Sequence, residues 1–159
     1  MPFRLLLSAA MLCLFSSFIL SQGYTDVSIS SGVGFVHQGQ VDSYDMGVGT
    51  GAAWFDYDND GWQDLYITNR VGANKLFRNL GNGTFSDVAL SLGVEDIAND
   101  GSGVVAGDIN NDGHIDLYLA NSDNNILYKN NGDNSFTDIT ITAGLDIMGP
   151  NRSTSATFG

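Results

Sequence analysis

Nothing constrains this chain more than a nine-residue stretch that occurs twice. Asp56-Tyr57-Asp58-Asn59-Asp60-Gly61-Trp62-Gln63-Asp64 sets carboxylates at positions 1, 3, 5 and 9 and glycine at position 6. Carboxylates that dense repel one another. The stretch becomes a stable ordered loop when a hard cation sits among the oxygens. Calcium takes about 6–8 oxygen ligands, and Asp at alternating loop positions can aim them at one centre. The main-chain carbonyl of Trp62, at position 7, adds an oxygen. Gly61 permits the turn that brings Asp64 back toward Asp56, because glycine reaches positive φ without steric cost. The plan returns 52 residues later as Asp108-Ile109-Asn110-Asn111-Asp112-Gly113-His114-Ile115-Asp116. Asn110 replaces one Asp there, so the second loop is expected to hold a cation more weakly than the first.

Charge and composition narrow the partners. The chain has 159 residues and a formal net charge of −12, from 18 acidic and 6 basic residues. That balance excludes a basic nucleic-acid face and attraction to anionic lipid. Glu95 is the sole glutamate, and aromatics make up 11% of the chain, unlike a disordered acidic tail. Residues 1–23 read as a secretory signal peptide rather than an anchor helix. Arg4 precedes the apolar, Ser-interrupted run Leu5 to Leu20, and Ser21-Gln22-Gly23 supplies small residues for cleavage. Cys13, the only cysteine, lies inside it after Met11-Leu12, which argues against a lipid anchor. The mature chain is then expected to carry no disulfide and no membrane span. Export delivers it to calcium-rich surroundings, where weak sites stay filled.

Between the loops the chain repeats strand by strand. Gly51 to Phe55 leads into the first loop and Asp64 to Asn69 leaves it. Asn74 to Asn79 follows, then the turn Gly81-Asn82-Gly83, then Thr84 to Val88. Asn-Gly between alternating runs is a strong hairpin signal. The second unit matches with Gly103 to Ala106, Asp116 to Asn121, Asn125 to Asn130, Asn131-Gly132-Asp133, and Ser135 to Ile139. Tyr24-Thr25-Asp26-Val27 echoes the closing strands Phe85 to Val88 and Phe136 to Ile139, and Ala156 to Gly159 echoes Val104 to Gly107. The expected organisation is a lead-in strand and linker over 24–46, repeats over 47–98 and 99–149, and the start of a third over 150–159. No sustained helical period occurs after residue 23, so little helix is expected. Four short strands per unit is propeller spacing.

These motifs resemble the FG-GAP/VCBS repeat of integrin-α-type β-propellers, and most closely its exported cartilage-acidic-protein branch. The residues that carry the likeness are the two Asp loops, Asp64 to Asn69 and Asp116 to Asn121, Asn74 to Asn79 and Asn125 to Asn130, the Phe-x-Asp closers, and the lead-in Ser31 to His37. The resemblance implies an all-β partial propeller: two four-stranded blades, the start of a third, and calcium loops between adjacent strands. It implies two structural calcium sites. One set is Asp56, Asp58, Asp60, Asp64 and the Trp62 carbonyl. The other is Asp108, Asn110, Asp112, Asp116 and the His114 carbonyl. Two blades do not close a ring, so the chain is expected to be a fragment of a longer repeat protein.

Competing readings are weaker. An EF-hand needs Glu at position 12 and flanking helices; Ile67 and Leu119 stand there, between strand-like flanks. His37 and His114 lack Cys or paired-His company and read as surface or structural residues. Trp54 and Tyr66 are expected to pack in strands, and Trp62 to be exposed. Asn82 and Asn151 fit the glycosylation pattern, though the turn accounts for Asn82. No catalytic constellation is visible. The expected function is an exported calcium-binding repeat protein with a non-catalytic adhesion, recognition or scaffolding role toward a protein or glycan ligand. The alternatives are an accessory segment of an exported enzyme and a carbohydrate-binding module. An exposed blade edge would also invite self-association.

Overall fold

The computed structural model describes residues 23–37, 50–98, 100–145, 153 and 155–158. Residues 1–22 of the signal segment, most of the linker and Asn151 lie outside them. Two four-stranded antiparallel sheets form in sequence order. The first holds β1 (Ala52–Phe55), β2 (Asp64–Ile67), β3 (Lys75–Asn79) and β4 (Phe85–Asp87). A single helical turn, α1 (Ala89–Leu92), follows. The second holds β5 (Gly101–Gly107), β6 (Asp116–Asn121), β7 (Ile126–Asn130) and β8 (Phe136–Asp138). The expected strand order is thus observed in both units, and α1 is the one helix among the described residues.

Register places the Asp loops. Phe55 pairs with Asp64 and Gly107 with Asp116, so each nonapeptide is the β1–β2-type connection, its ninth residue already in the next strand. At the β3–β4 turn, Gly81 and Gly83 take φ of 71° and 85°, and Asn82 Oδ1 accepts from the Thr84 N–H at 3.0 Å. The turn therefore uses the Asn82 side chain, as the sequence suggests.

The core is the seam between the sheets. Tyr66, Leu76 and Val94 from the first unit meet Leu117, Leu119 and Tyr128 from the second. Tyr66, Leu76, Val94, Leu117 and Leu119 are fully buried. Each such apolar side chain contributes roughly 1.5–3 kcal/mol over an exposed one. Tyr66 is tolerated there because its hydroxyl donates to the Val94 carbonyl at 2.5 Å and accepts from Asn74 Nδ2 at 3.1 Å. Burial pushes the Tyr66 hydroxyl well above its usual range, so it stays a donor. The sheets touch at β1 and β5. A Cβ on Gly51 would lie 2.6 Å from the Val104 nitrogen, so only glycine permits that approach.

One turn occurs three times with the same three hydrogen bonds. Ser31, Gly32 and Val33 donate to Val27, Ile29 and Ser28. Leu92, Gly93 and Val94 donate to Val88, Leu90 and Ala89. Ala143, Gly144 and Leu145 donate to Ile139, Ile141 and Thr140. The central glycine is left-handed each time, with φ of 84°, 71° and 72°. The lead-in thus carries the same turn as the end of each repeat. Its residues 24–27, expected as a strand, are not in a strand. Instead the Ser31 carbonyl accepts from the Phe85 N–H at 2.7 Å.

Trp54 packs less than expected. It is 58% exposed and meets Phe85 edge-on at 6.1 Å. Strand alternation explains this: neighbouring Ala53 faces the seam, which turns Trp54 to the opposite side of the sheet. At the other end the 52-residue plan continues. Ser153 donates to the Asn121 carbonyl as Gly101 donates to that of Asn69. Beside it lies an apolar cavity of about 420 Å³ lined by Val105, Ile109, Tyr118, Leu127, Leu145 and Phe158.

Candidate metal centre

The ninth residue of each loop is the anchor. Asp64 and Asp116 are fully buried. Asp64 accepts the N–H of Tyr57 at 3.1 Å and of Asn79 at 2.7 Å. Asp116 accepts the N–H of Ile109 at 3.0 Å and of Asn130 at 2.7 Å. One carboxylate thus ties position 2 of its loop to the end of the third strand. Burial pushes the Asp64 carboxyl up to about 6, against the pull of its two backbone donors; Asp58 and Asp60 push the same way as burial.

The first position closes the turn. Asp56 accepts the N–H of Asp60 at 3.1 Å and of Gly61 at 2.8 Å, and Asp108 accepts those of Asp112 and Gly113 at 3.1 and 2.9 Å. Gly61 and Gly113 take φ of 89° and 86°, confirming the glycine requirement at position 6. Asn59 and Asn111, at position 4, are also left-handed, with φ of 57° and 59°. Asparagine tolerates that region better than most residues.

Positions 3 and 5 face cations from the third strand. Arg78 donates to Asp58 at 2.6 Å and to Asp60 at 2.8 Å. The Asp58 bond leads in holding the guanidinium pKa above its ordinary value. In the second loop Lys129 lies 3.2 Å from Asp112, and Asn110 Nδ2 donates to Asp112 at 2.9 Å. The Asn110 bond, ahead of the His114 N–H and Lys129, holds the Asp112 carboxyl below its usual value.

At position 7, Trp62 and His114 donate their N–H groups to Asp60 and Asp112 at 2.9 and 3.1 Å. Their rings lie over the turn glycines of the same sheets. A Cβ on Gly81 would meet the Trp62 indole at 2.8 Å, and one on Gly132 would collide with the His114 ring. Trp62 stays 51% exposed, as expected, and His37 is exposed.

Three oxygens converge. Asp56, Asp58 and Asp64 each offer a carboxylate oxygen, and these lie within 4.8 Å of one another. Ligands on opposite sides of a calcium ion, at about 2.4 Å from it, stand about 5 Å apart. The hard, all-oxygen donor set and its spread therefore fit calcium. Asp60 lies outside that trio, turned toward Arg78. Asn110 removes the matching carboxylate from the second loop, and no second acidic trio occurs among the described residues.

The two loops also touch. Asn59 Nδ2 donates to the Gly113 carbonyl at 3.1 Å and lies 3.2 Å from His114 Nδ1. Asn130 Nδ2 donates to the Tyr57 carbonyl at 2.8 Å and to that of Ile115 at 3.2 Å. Sequence reasoning missed Asn59, Arg78, Lys129 and Asn130. The signal lay in the strand motifs: Arg78-Asn79 and Lys129-Asn130 recur at one place in each repeat.

A model of the FG-GAP-like repeat matches residues 56–119 and 108–159. Cartilage acidic protein 1 of Xenopus tropicalis is 43% identical over 63 residues, which cover 40% of this chain and 10% of that protein. Its Mus musculus counterpart is 47% identical over 58 residues, 36% of this chain and 9% of that protein. The matched segment thus spans about a tenth of the length of these relatives. With two matches that take in both Asp loops and most of both sheets, the chain belongs to the FG-GAP-like repeat family.

Proposed function

We propose that this chain is part of an exported, non-catalytic repeat protein whose sheets are propeller blades braced by calcium. The convergence of Asp56, Asp58 and Asp64 oxygens at the β1–β2 turn carries the reading. The first site would comprise those carboxylates with Asp60 and the Trp62 carbonyl. The second would comprise Asp108, Asn110, Asp112, Asp116 and the His114 carbonyl. Calcium there supplies no chemistry. It cancels carboxylate repulsion and fixes the turn that joins two strands. Among the described residues no helix is long and apolar enough to cross a membrane. The relatives' name, with its reference to cartilage, supports an extracellular adhesion or scaffolding role.

Blade stacking is supported by the cavity. Ile109, Tyr118, Leu127 and Leu145 stand where Tyr57, Tyr66, Leu76 and Val94 stand one repeat earlier, and the earlier set is buried by the second sheet. A further sheet of the same kind would fill the space. The test of calcium's role is thermal unfolding with excess calcium and with chelator. A ligand at about 100 times its Kd stabilises the folded state by roughly 2.7 kcal/mol per site. The melting temperature should therefore fall by several degrees in chelator. An unchanged melting temperature in a folded sample would refute the role.

A further inference from the structure

The hydrogen bonds that cross between the Asp loops reach both candidate sites. Tyr57 donates its N–H to Asp64 at 3.1 Å, and its carbonyl accepts from Asn130 Nδ2 at 2.8 Å. Asn130 then donates its own N–H to Asp116 at 2.7 Å. Two residues therefore join the buried carboxylate of one loop to that of the other. A second tie runs from Asn59 to the Gly113 carbonyl and to His114. We propose that the two loops bind calcium as a coupled pair, each filled loop raising the affinity of the other.

The inference rests on the calcium reading above and adds its regulation. Each loop must hold two residues at positive φ, Asn59 and Gly61 or Asn111 and Gly113, to aim its ligands. Fixing such a backbone costs conformational entropy. A loop already fixed by a filled neighbour loses less on binding, which yields positive cooperativity without any change of fold. Electrostatics opposes this, since the first cation lowers the negative potential felt by the second. That repulsion is screened over about 8 Å at physiological salt, whereas the hydrogen bonds are direct. Coupling is reciprocal and is expected at about fivefold or more in affinity.

Calorimetric titration of the full chain with calcium alone, at physiological salt, tests this. Asp112→Ala disables the second loop. The first should then bind about fivefold more weakly than in the unmodified chain. Asn59→Gly with Asn130→Ala removes the side chains of both ties while keeping the backbone N–H that Asn130 gives Asp116, and in that background Asp112→Ala should cost the first loop little. Asn111→Gly with Asn79→Ala is the control. It makes the same changes at the matching positions, but among the described residues neither side chain reaches the other Asp loop, so coupling should persist. Circular dichroism checks that each variant is folded. A first loop that binds calcium with the same affinity whether or not Asp112→Ala is present overturns the coupling and leaves the calcium role standing. Coupling lost equally in the two double variants, Asn59→Gly with Asn130→Ala and Asn111→Gly with Asn79→Ala, overturns the assigned route. No binding heat in the folded chain overturns the calcium role and the coupling with it.

Discussion

Asn79 and Asn130 end the third strand of their sheets, and truncating each to alanine measures the tie between the sheets. Both donate a backbone N–H to a buried Asp, which alanine preserves. Their side chains differ. Asn79 is half-buried and bonds only inside its own sheet, to the Gln63 carbonyl at 3.1 Å and the Gly81 N–H at 3.0 Å. Asn130 is 1% exposed and bonds the Ile115 carbonyl at 3.2 Å, the Gly132 N–H at 3.0 Å and, across the seam, the Tyr57 carbonyl at 2.8 Å. A buried polar group that loses its partner costs about 1–3 kcal/mol, and one that water can reach costs much less. Asn130→Ala should therefore destabilise by about 3 kcal/mol and Asn79→Ala by about 1 kcal/mol. The volume removed is the same, so cavity costs partly cancel and the difference of about 2 kcal/mol reports the cross-sheet bond. Urea unfolding at fixed calcium reads it, followed by circular dichroism and by Trp54 and Trp62 fluorescence. Equal midpoint shifts, or a larger one for Asn79→Ala, would refute the reasoning.

Asp64 makes the metal-free protein sensitive to pH. Its folded pKa of about 6 lies above the ordinary 3.8, so its protonated form favours the fold. That contribution is full below pH 3.8 and is lost as pH rises through about 6; over a shift of a little more than two units, at about 1.36 kcal/mol each, it amounts to at most about 3 kcal/mol. Chelated protein should thus lose this part of its stability between pH 4 and 7, and a stability profile that rises across the window contradicts it. Calcium needs the ionised carboxylate, so affinity should fall below about pH 6. Charge count ranks the sites: Asn110→Asp should tighten the second, and Asp58→Asn weaken the first, each by on the order of tenfold. Calcium titration that finds equal affinities throughout would reject the ranking.

Much of the site was legible because its causes are local. Alternating Asp with glycine at position 6 specifies one loop whatever surrounds it, and Gly61 and Gly113 do take the left-handed backbone it requires. The strands were legible for the same reason, bounded as they are by Asp loops and Asn-Gly turns. Trp54 was not, since which face of a strand is covered depends on what packs there. The lead-in differs likewise: Tyr24 to Val27 has the alternation of a strand, yet these residues form none.

By itself, then, the sequence determined the repeat, its 52-residue step, the strand order within each unit and the loops where oxygens gather. Those follow from side-chain alternation and from the few residues that accept positive φ. Only the tertiary structure decided that Arg78 faces Asp58 and Asp60, that Trp62 and His114 cover turn glycines, and that Asn59 and Asn130 reach the other loop. Such contacts join residues distant in the chain, up to 73 positions apart for Asn130 and Tyr57, and no local pattern encodes a distance that folding alone closes.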